Sequence, residues 1–327
     1  MSLFLGVDGG GSKTAFVLTN DAGQVLAEAQ TPSCYYFGDG IGLVEHVLGH
    51  GISEICRQAA VEPRSITQAF FGLPGYGEVS ADMVQLNAIP GKILGHDRYT
   101  CGNDMICGWA GSLGGADGIN VISGTGSMTY GERNGRGCRV GGWGELFGDE
   151  GSAYWIAVRG LNAFTRMSDG RLPRGPLYDA FKARVGISGD LDLIDVVMNR
   201  WQGRRASIAD LSKTVVEADL RGDPTAAAIL MEASAALVEI VNATRDNLGF
   251  GPADSVPVSY SGGMFTADVL RRGFEKMLLA QSARYELRVP AFDPGLGAVL
   301  YAAKQANEPL SEEARRNLRS LHPAVSG

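Results

Sequence analysis

Leu3–Asp8 runs apolar, and Thr14–Asn20 and Gln24–Gln30 alternate or run apolar, with breaks at a glycine run and at Asp21-Ala22-Gly23. This predicts three successive strands joined by short hairpins. Leu43, Val44, Val47, Leu48, Ile52, Ile55, Cys56 and Ala59 then recur at helical spacing. Ala69-Phe70-Phe71-Gly72-Leu73 reads as a buried strand ended by Pro74-Gly75, followed by a weak helix around Ser80–Ala88, a short strand at Arg98–Cys101 and a helix from Asp104 to Ala110. The order then repeats. Ile119–Ser123, Met128–Glu132 and Arg136–Val140 predict three strands, and a helix spans about Gly151–Phe164. Residues 178–250 are largely helical, with long apolar periodicity at Ile208–Ala218 and Thr225–Leu248 and a C-cap signal at Gly249. Val256–Ser261, Ala267–Leu279, Tyr285–Pro290 and Gly297–Gln305 complete the series as strand, helix, strand and helix.

Each half therefore reads βββ, then α, β, α, β, α. The fold class is α/β, with mixed sheets covered by helices. A repeat this long predicts two homologous domains rather than a solenoid. We place them at residues 1–116 and 117–305, with a helical insertion at about 165–250 in the second. Beyond Glu308 the chain is polar and reads as a solvated terminal helix and tail, the helix at about 306–320 having the option of packing on the first domain.

One short pattern is written twice. Gly9-Gly10-Gly11-Ser12-Lys13-Thr14 follows the first strand, and Gly124-Thr125-Gly126-Ser127-Met128-Thr129 follows the strand that opens the second half. Both read Gly-x-Gly-Ser-x-Thr. Glycines let backbone N–H groups crowd around an anion, and a turn hydroxyl adds a donor. Either loop alone is equally a tight hairpin; the matched positions favour phosphate binding by the pair. Neither is a Walker A loop, which needs Gly-Lys-[Ser/Thr], nor a dinucleotide fingerprint, which precedes a helix. A third glycine turn, Ser261-Gly262-Gly263, lies between a strand and a helix and would let a base or ribose rest on bare backbone.

The chain has 327 residues, 45% hydrophobic content and net charge −7. That balance argues against a broad nucleic-acid footprint. No leader pattern is visible, and no uninterrupted apolar run approaches the roughly 20 residues of a membrane span. Five cysteines match no zinc spacing and read as reduced thiols in a cytoplasmic protein; charge and hydropathy lead us to expect no nucleic-acid or membrane partner. The 46 glycines are about twice the usual share of roughly 7% and imply many close backbone approaches.

Asp8 ends a strand beside the first loop, where hydrated Mg²⁺ is a natural partner for a carboxylate and an Asx turn the alternative. Asp104 stands between a strand and a helix, as a helix cap or as a base for a sugar hydroxyl. Its neighbour Asn103 orients a substrate or closes the turn. The segment Gly141-Gly142-Trp143-Gly144-Glu145-Leu146-Phe147-Gly148-Asp149-Glu150-Gly151-Ser152 combines bare backbone, an indole and paired carboxylates, which suits sugar hydroxyls. Asp149 and Glu150 equally suit the start of the next helix. Tyr154 and Trp155 read as packing. His46, His50, His96 and His322 are scattered; the first two share a helix face, but no third ligand accompanies them.

Val7–Lys13, Ile122–Ser127 and Gly142–Ile156 together resemble the N-acetylglucosamine kinases, within the BadF/BadG/BcrA/BcrD ATPase-like family of the actin, sugar-kinase and Hsp70 superfamily. The resemblance runs over most of the chain. It implies two ribonuclease-H-like domains with a nucleotide cleft between them, ATP and Mg²⁺ as cofactors, and an amino sugar as small-molecule partner. It assigns Gly10, Gly11, Ser12 and Lys13 with Gly124, Thr125, Gly126 and Ser127 to phosphates, Gly262 and Gly263 to adenosine, and Ala209 to the adenine flank. Asp104 becomes the base, Asp8 holds Mg²⁺ through water, and Asn103, Gly142, Trp143, Gly144 and Asp149 meet the sugar. A homodimer is implied by the resemblance only. Similar kinases carry a sugar-contacting asparagine after the third strand, where this chain has Pro32-Ser33-Cys34-Tyr35-Tyr36. The related dehydratase activators hold an iron–sulfur cluster, for which no suitable cysteine pattern exists here.

Two readings stay open at this point. One is a kinase for the 6-hydroxyl of N-acetylglucosamine, or of glucosamine as the nearest alternative. The other is a nucleotide-switch ATPase without sugar chemistry.

Overall fold

In the computed structural model, which describes residues 1–321, the expected hairpins form. Strand β1 (Leu3–Gly9) pairs antiparallel with β2 (Lys13–Asn20), and β2 with β3 (Val25–Pro32). β1 is apolar up to Val7 because both its faces are covered: Phe4, Leu5 and Val7 are fully buried. Its other edge pairs parallel with β4 (Gln68–Leu73), and β4 parallel with β5 (Tyr99–Asn103), giving the order β3-β2-β1-β4-β5. Parallel neighbours need crossovers. Helices α1 (Gly42–Ala59) and α2 (Met83–Leu94) lie along these connections, and α3 (Met105–Leu113) leaves the end of β5. α2 runs past the expected end near Ala88, through Pro90, because Leu86, Ile89 and Leu94 are all buried in the core that α1 shares.

The second sheet repeats the plan. β6 (Gly118–Ser123), β7 (Ser127–Arg133) and β8 (Arg136–Gly141) form the meander, and β6 pairs parallel with β9 (Val256–Ser261). With β10 (Tyr285–Arg288) the order is β10-β9-β6-β7-β8, the permutation of the first sheet. Between β8 and β9 lie α4 (Ala153–Ser168), α5 (Pro176–Val185), α6 (Asp192–Asp195), α7 (Arg205–Ala209), α8 (Ser212–Leu220) and α9 (Pro224–Asn247); α10 (Asp268–Leu279) follows β9. The helix expected over Ile208–Ala218 is two helices, broken at Asp210-Leu211. α9 is long and apolar enough to span a membrane by length and composition, but it packs Ala226, Leu230, Ala233, Leu237 and Val241 into the core of the second unit.

The described residues divide into two compact units, Met1–Asp117 with residues 288–321, and Gly118–Leu287. The expected second domain of 117–305 is thereby corrected: α11 (Pro294–Gln305) belongs to the first unit. Glycines admit it. A Cβ on Gly6 of β1 would stand 2.5 Å from Val299 N, and one on Gly297 2.1 Å from Cys107 O, so α11 lies directly on β1 and α3. Leu296, Val299 and Ala302 then share a core with Phe4 and Phe70. The final helix α12 (Glu312–Leu321) is not wholly solvated, since Ala314 and Leu318 join that core. His322 lies outside the described residues. All five cysteines are free thiols, and burial pushes Cys34 to about 11 and Cys101 to about 12, which keeps both protonated and inert.

Candidate active site

The first unit places its candidate residues at one sheet edge. Because β1, β4 and β5 are parallel, their carboxyl ends coincide, which is where open α/β sheets bind ligands. Asp8 pairs with Gly72, Gly72 with Gly102, and Leu73 with Asn103. Gly72 must be bare: a Cβ there would meet Cys107 Sγ at 2.3 Å and Asp104 Cα at 3.2 Å. The first turn of α3 therefore closes down beside Asp8.

Asp104 occupies the N-cap position of α3, yet its side chain makes no capping hydrogen bond. The capping is done by Asn103, whose Oδ1 accepts from Met105 N at 3.1 Å while Nδ2 donates to Tyr76 O at 3.3 Å. Asn103 is buried and closes the turn, the alternative to a substrate contact that its position also allowed. Half-buried Asp8 feels desolvation first and then the Asp104 charge, and together they push its carboxyl up to about 7. The Cys107 thiol donates to it and Lys13 is near enough to pull the other way. Asp293, which sequence reasoning passed over, adds a third negative charge. Its signal was present: Asp293-Pro294 is an N-cap followed by a first-turn proline, and its carboxylate accepts from Leu296 N at 2.9 Å. Among the described residues no group of three His, Cys, Asp or Glu is arranged to hold a metal directly. His46 and His50 are exposed on α1.

The first glycine loop is closed by Gly10 N donating to Lys13 O at 2.8 Å. Ser33 Oγ donates to Gly10 O at 2.8 Å, and Cys34 N to Thr14 Oγ1 at 3.1 Å, so the segment lacking the expected asparagine is stitched to this loop. Gly11, Ser12 and Lys13 face solvent.

In the second unit Gly124 N donates to Gly126 O at 2.9 Å, and the first turn of α4 hangs on the loop through Ala153 N to Gly124 O at 2.8 Å. Ser127 is buried; its Oγ donates to Glu150 O at 2.7 Å and its carbonyl accepts from Gly142 N at 3.0 Å. Ser127, expected at phosphate, braces the acidic loop here. Gly262 (φ 97°) is also spoken for: a Cβ there would lie 2.4 Å from Ser123 O, so it packs on the end of β6. Gly263 is open.

Around this loop lies a cavity of about 690 Å³, within the size range of small-molecule sites. Gly124, Thr125, Ala209 and Gly263, all singled out from sequence, line it, together with Met264 and Val216. Its polar rim, Asp210, Ser212, Lys213 and Glu217, was not anticipated, because the break between α7 and α8 that presents it carries no glycine or proline.

Asp149 does not start the next helix. Ser152 does, its Oγ accepting from Trp155 N at 3.1 Å. Asp149 sits in the left-handed region (φ 59°) and is only 3% exposed. Its carboxylate accepts the N–H groups of Ser127 and Gly144 and pairs with Arg205, whose Nε also lies 3.2 Å from Glu145. Burial raises its pKa, against the pull of Arg205 and the two N–H groups. Gly142 and Gly144 adopt positive φ beside it, and Trp143 is 73% exposed on the same loop. Trp155 packs against the core, as expected.

The pattern of the BadF/BadG/BcrA/BcrD ATPase family matches residues 5–302 of this chain. The chain is 28% identical to the N-acetyl-D-glucosamine kinase of Dictyostelium discoideum, over 92% of its own length and 97% of the relative's. It is also 28% identical to the N-acetylmuramic acid/N-acetylglucosamine kinase of Clostridium acetobutylicum, over 94% of its length and all (100%) of the relative's. A solved structure from Chromobacterium violaceum, provisionally assigned as an N-acetylglucosamine kinase, superposes with a TM-score of 0.69 at 28% identity, covering 92% of this chain and 98% of that one.

Proposed function

The chain belongs to the BadF/BadG/BcrA/BcrD ATPase family, and from that premise we propose that it is an ATP-dependent kinase for the 6-hydroxyl of N-acetylglucosamine or a close amino sugar. The observation that carries the reading is Asp104. It stands at the carboxyl edge of the sheet, at the N-cap position of α3, close enough to Asp8 for its charge to raise that carboxyl.

In this reading Asp104 takes the proton of the sugar hydroxyl as that oxygen bonds to the γ-phosphorus; the bond from phosphorus to the bridging β–γ oxygen breaks and ADP departs. Phosphoryl transfer asks mainly for alignment and charge neutralisation. Within each unit the glycine loop would offer backbone N–H groups to phosphate oxygens, Gly11 and Ser12 in the first and Thr125 and Gly126 in the second, since Gly10 N, Gly124 N and Ser127 N already have acceptors. The cavity beside Ala209 and Gly263 would take the adenosine. Trp143 and the backbone of Gly142 and Gly144 would orient the sugar.

The residues fit a hydrated Mg²⁺. Asp8 is a carboxylate whose burial, with the charges of Asp104 and Asp293, raises its pKa, and a cation would favour its ionised form. With no three-residue metal nest among the described residues, the ion would be held through water. When bound, Mg²⁺ would neutralise phosphate charge.

A panel of amino sugars, assayed with ATP and Mg²⁺ by ADP release, tests this. ADP release that depends on N-acetylglucosamine or a near analogue is expected. Hydrolysis indifferent to every sugar would replace the kinase by a nucleotide switch.

A further inference from the structure

Arg205 sits where the second glycine loop, the acidic loop and the cavity meet. Its guanidinium pairs with Asp149 and also faces Glu145, so two carboxylates share one cation. It lies against the loop backbone: a Cβ on Gly126 would stand 2.7 Å from its Nη2 and 2.8 Å from Asp149 Oδ2. Its helix α7 also supplies Ala206 and Ala209 to the cavity. Nε is buried yet makes no hydrogen bond, the approach to Glu145 being an ion contact only. A buried donor without an acceptor is costly, and a guanidinium fork suits phosphate oxygens.

We propose that Arg205 is a positioning residue that couples the two substrates. Without nucleotide it holds the Asp149 carboxylate against the loop. A polyphosphate arriving at Gly124–Gly126 competes for the same guanidinium and draws it away. Asp149, buried and deprived of its cation, then needs new donors, and the hydroxyl groups of a sugar supply them. ATP and sugar therefore bind with mutual enhancement, and the factor is the same in both directions. This inference rests on the kinase reading above.

Calorimetric titration of N-acetylglucosamine into the full chain, with and without a non-hydrolysable ATP analogue and Mg²⁺, reads the coupling directly. In the wild-type chain the analogue should tighten sugar binding by about 5-fold or more, the lower end of ordinary coupling. In Arg205→Gln the ratio should fall to near one, and in Arg205→Lys, which keeps charge but loses the fork, it should lie between. A merely structural role would weaken both ligands and leave the ratio unchanged. Arg205→Lys carries the test if Arg205→Gln does not fold. Retention of the wild-type ratio in the variants overturns the proposal, as does a wild-type ratio of one with both ligands bound. A wild-type chain that binds nucleotide but no amino sugar overturns the kinase reading itself, and the coupling with it.

Discussion

The two glycine loops share a pattern but not a setting. The first closes from Gly10 N to Lys13 O and leaves Ser12 in solvent; the second closes from Gly124 N to Gly126 O and buries Ser127 as a brace. Carboxylates crowd the first, with Asp8, Asp104 and Asp293 near one another. The second borders a mostly apolar cavity, and its acidic neighbours are balanced by Arg205. A duplicated strand–turn–strand unit thus supplies the same backbone twice. What packs around each copy sets its surroundings: three carboxylates about the first, an Arg205-balanced acidic pair and a cavity about the second.

The sharpest way to break this comparison is to remove charge from the first unit. Asp104→Asn should lower kcat by at least about 10²-fold, the lower end for general-base loss, with little change in sugar KM. Steady-state kinetics decides it, and near-normal turnover would take Asp104 out of the base role.

Next is the pH dependence set by Asp8. Its carboxyl is raised to about 7 in the folded chain, against about 4 when unfolded. Between those values the folded chain holds a proton that the unfolded chain has lost. Stability should therefore fall as pH rises from about 4 to about 7, by at most about 4 kcal/mol from this group. Denaturant titrations across that range should show the fall in the wild-type chain and a flatter profile in Asp8→Asn. Identical profiles would mean that Asp8 does not carry the strained charge.

Glycine substitutions sharpen the contrast in shape. Gly262→Ala puts a Cβ onto Ser123 backbone at positive φ and should cost about 2–3 kcal/mol of stability. Gly11→Ala meets nothing within 4 Å and should stay within about 0.5 kcal/mol of wild type, so any rise in its ATP KM reports ligand contact rather than folding. Thermal melts of the two variants make the comparison.

Much of this was legible in the chain. Alternation and glycine breaks located every strand, because β1–β3 and β6–β8 are local hairpins whose turns carry their own chemistry. The membership of α11 in the first unit was not legible, because it depends on bare Gly6 admitting the helix onto β1 and bare Gly297 admitting it onto α3, contacts far apart in sequence. The cap role of Asn103, one residue before the carboxylate expected to serve, is a choice between neighbours that only packing settles. Arg205 was invisible for a similar reason. It is one basic residue in Gln202-Gly203-Arg204-Arg205, and its meaning comes from Asp149, 56 positions away.

The most direct test of the account is a single-turnover reaction of the chain with ATP, Mg²⁺ and N-acetylglucosamine, in which ADP and sugar phosphate are quantified together and the phosphorylated position is assigned by NMR. We expect one 6-phosphate per ADP in the wild-type chain and neither product on that timescale in Asp104→Asn. ADP appearing without sugar phosphate, or at equal rate in the variant, would contradict it.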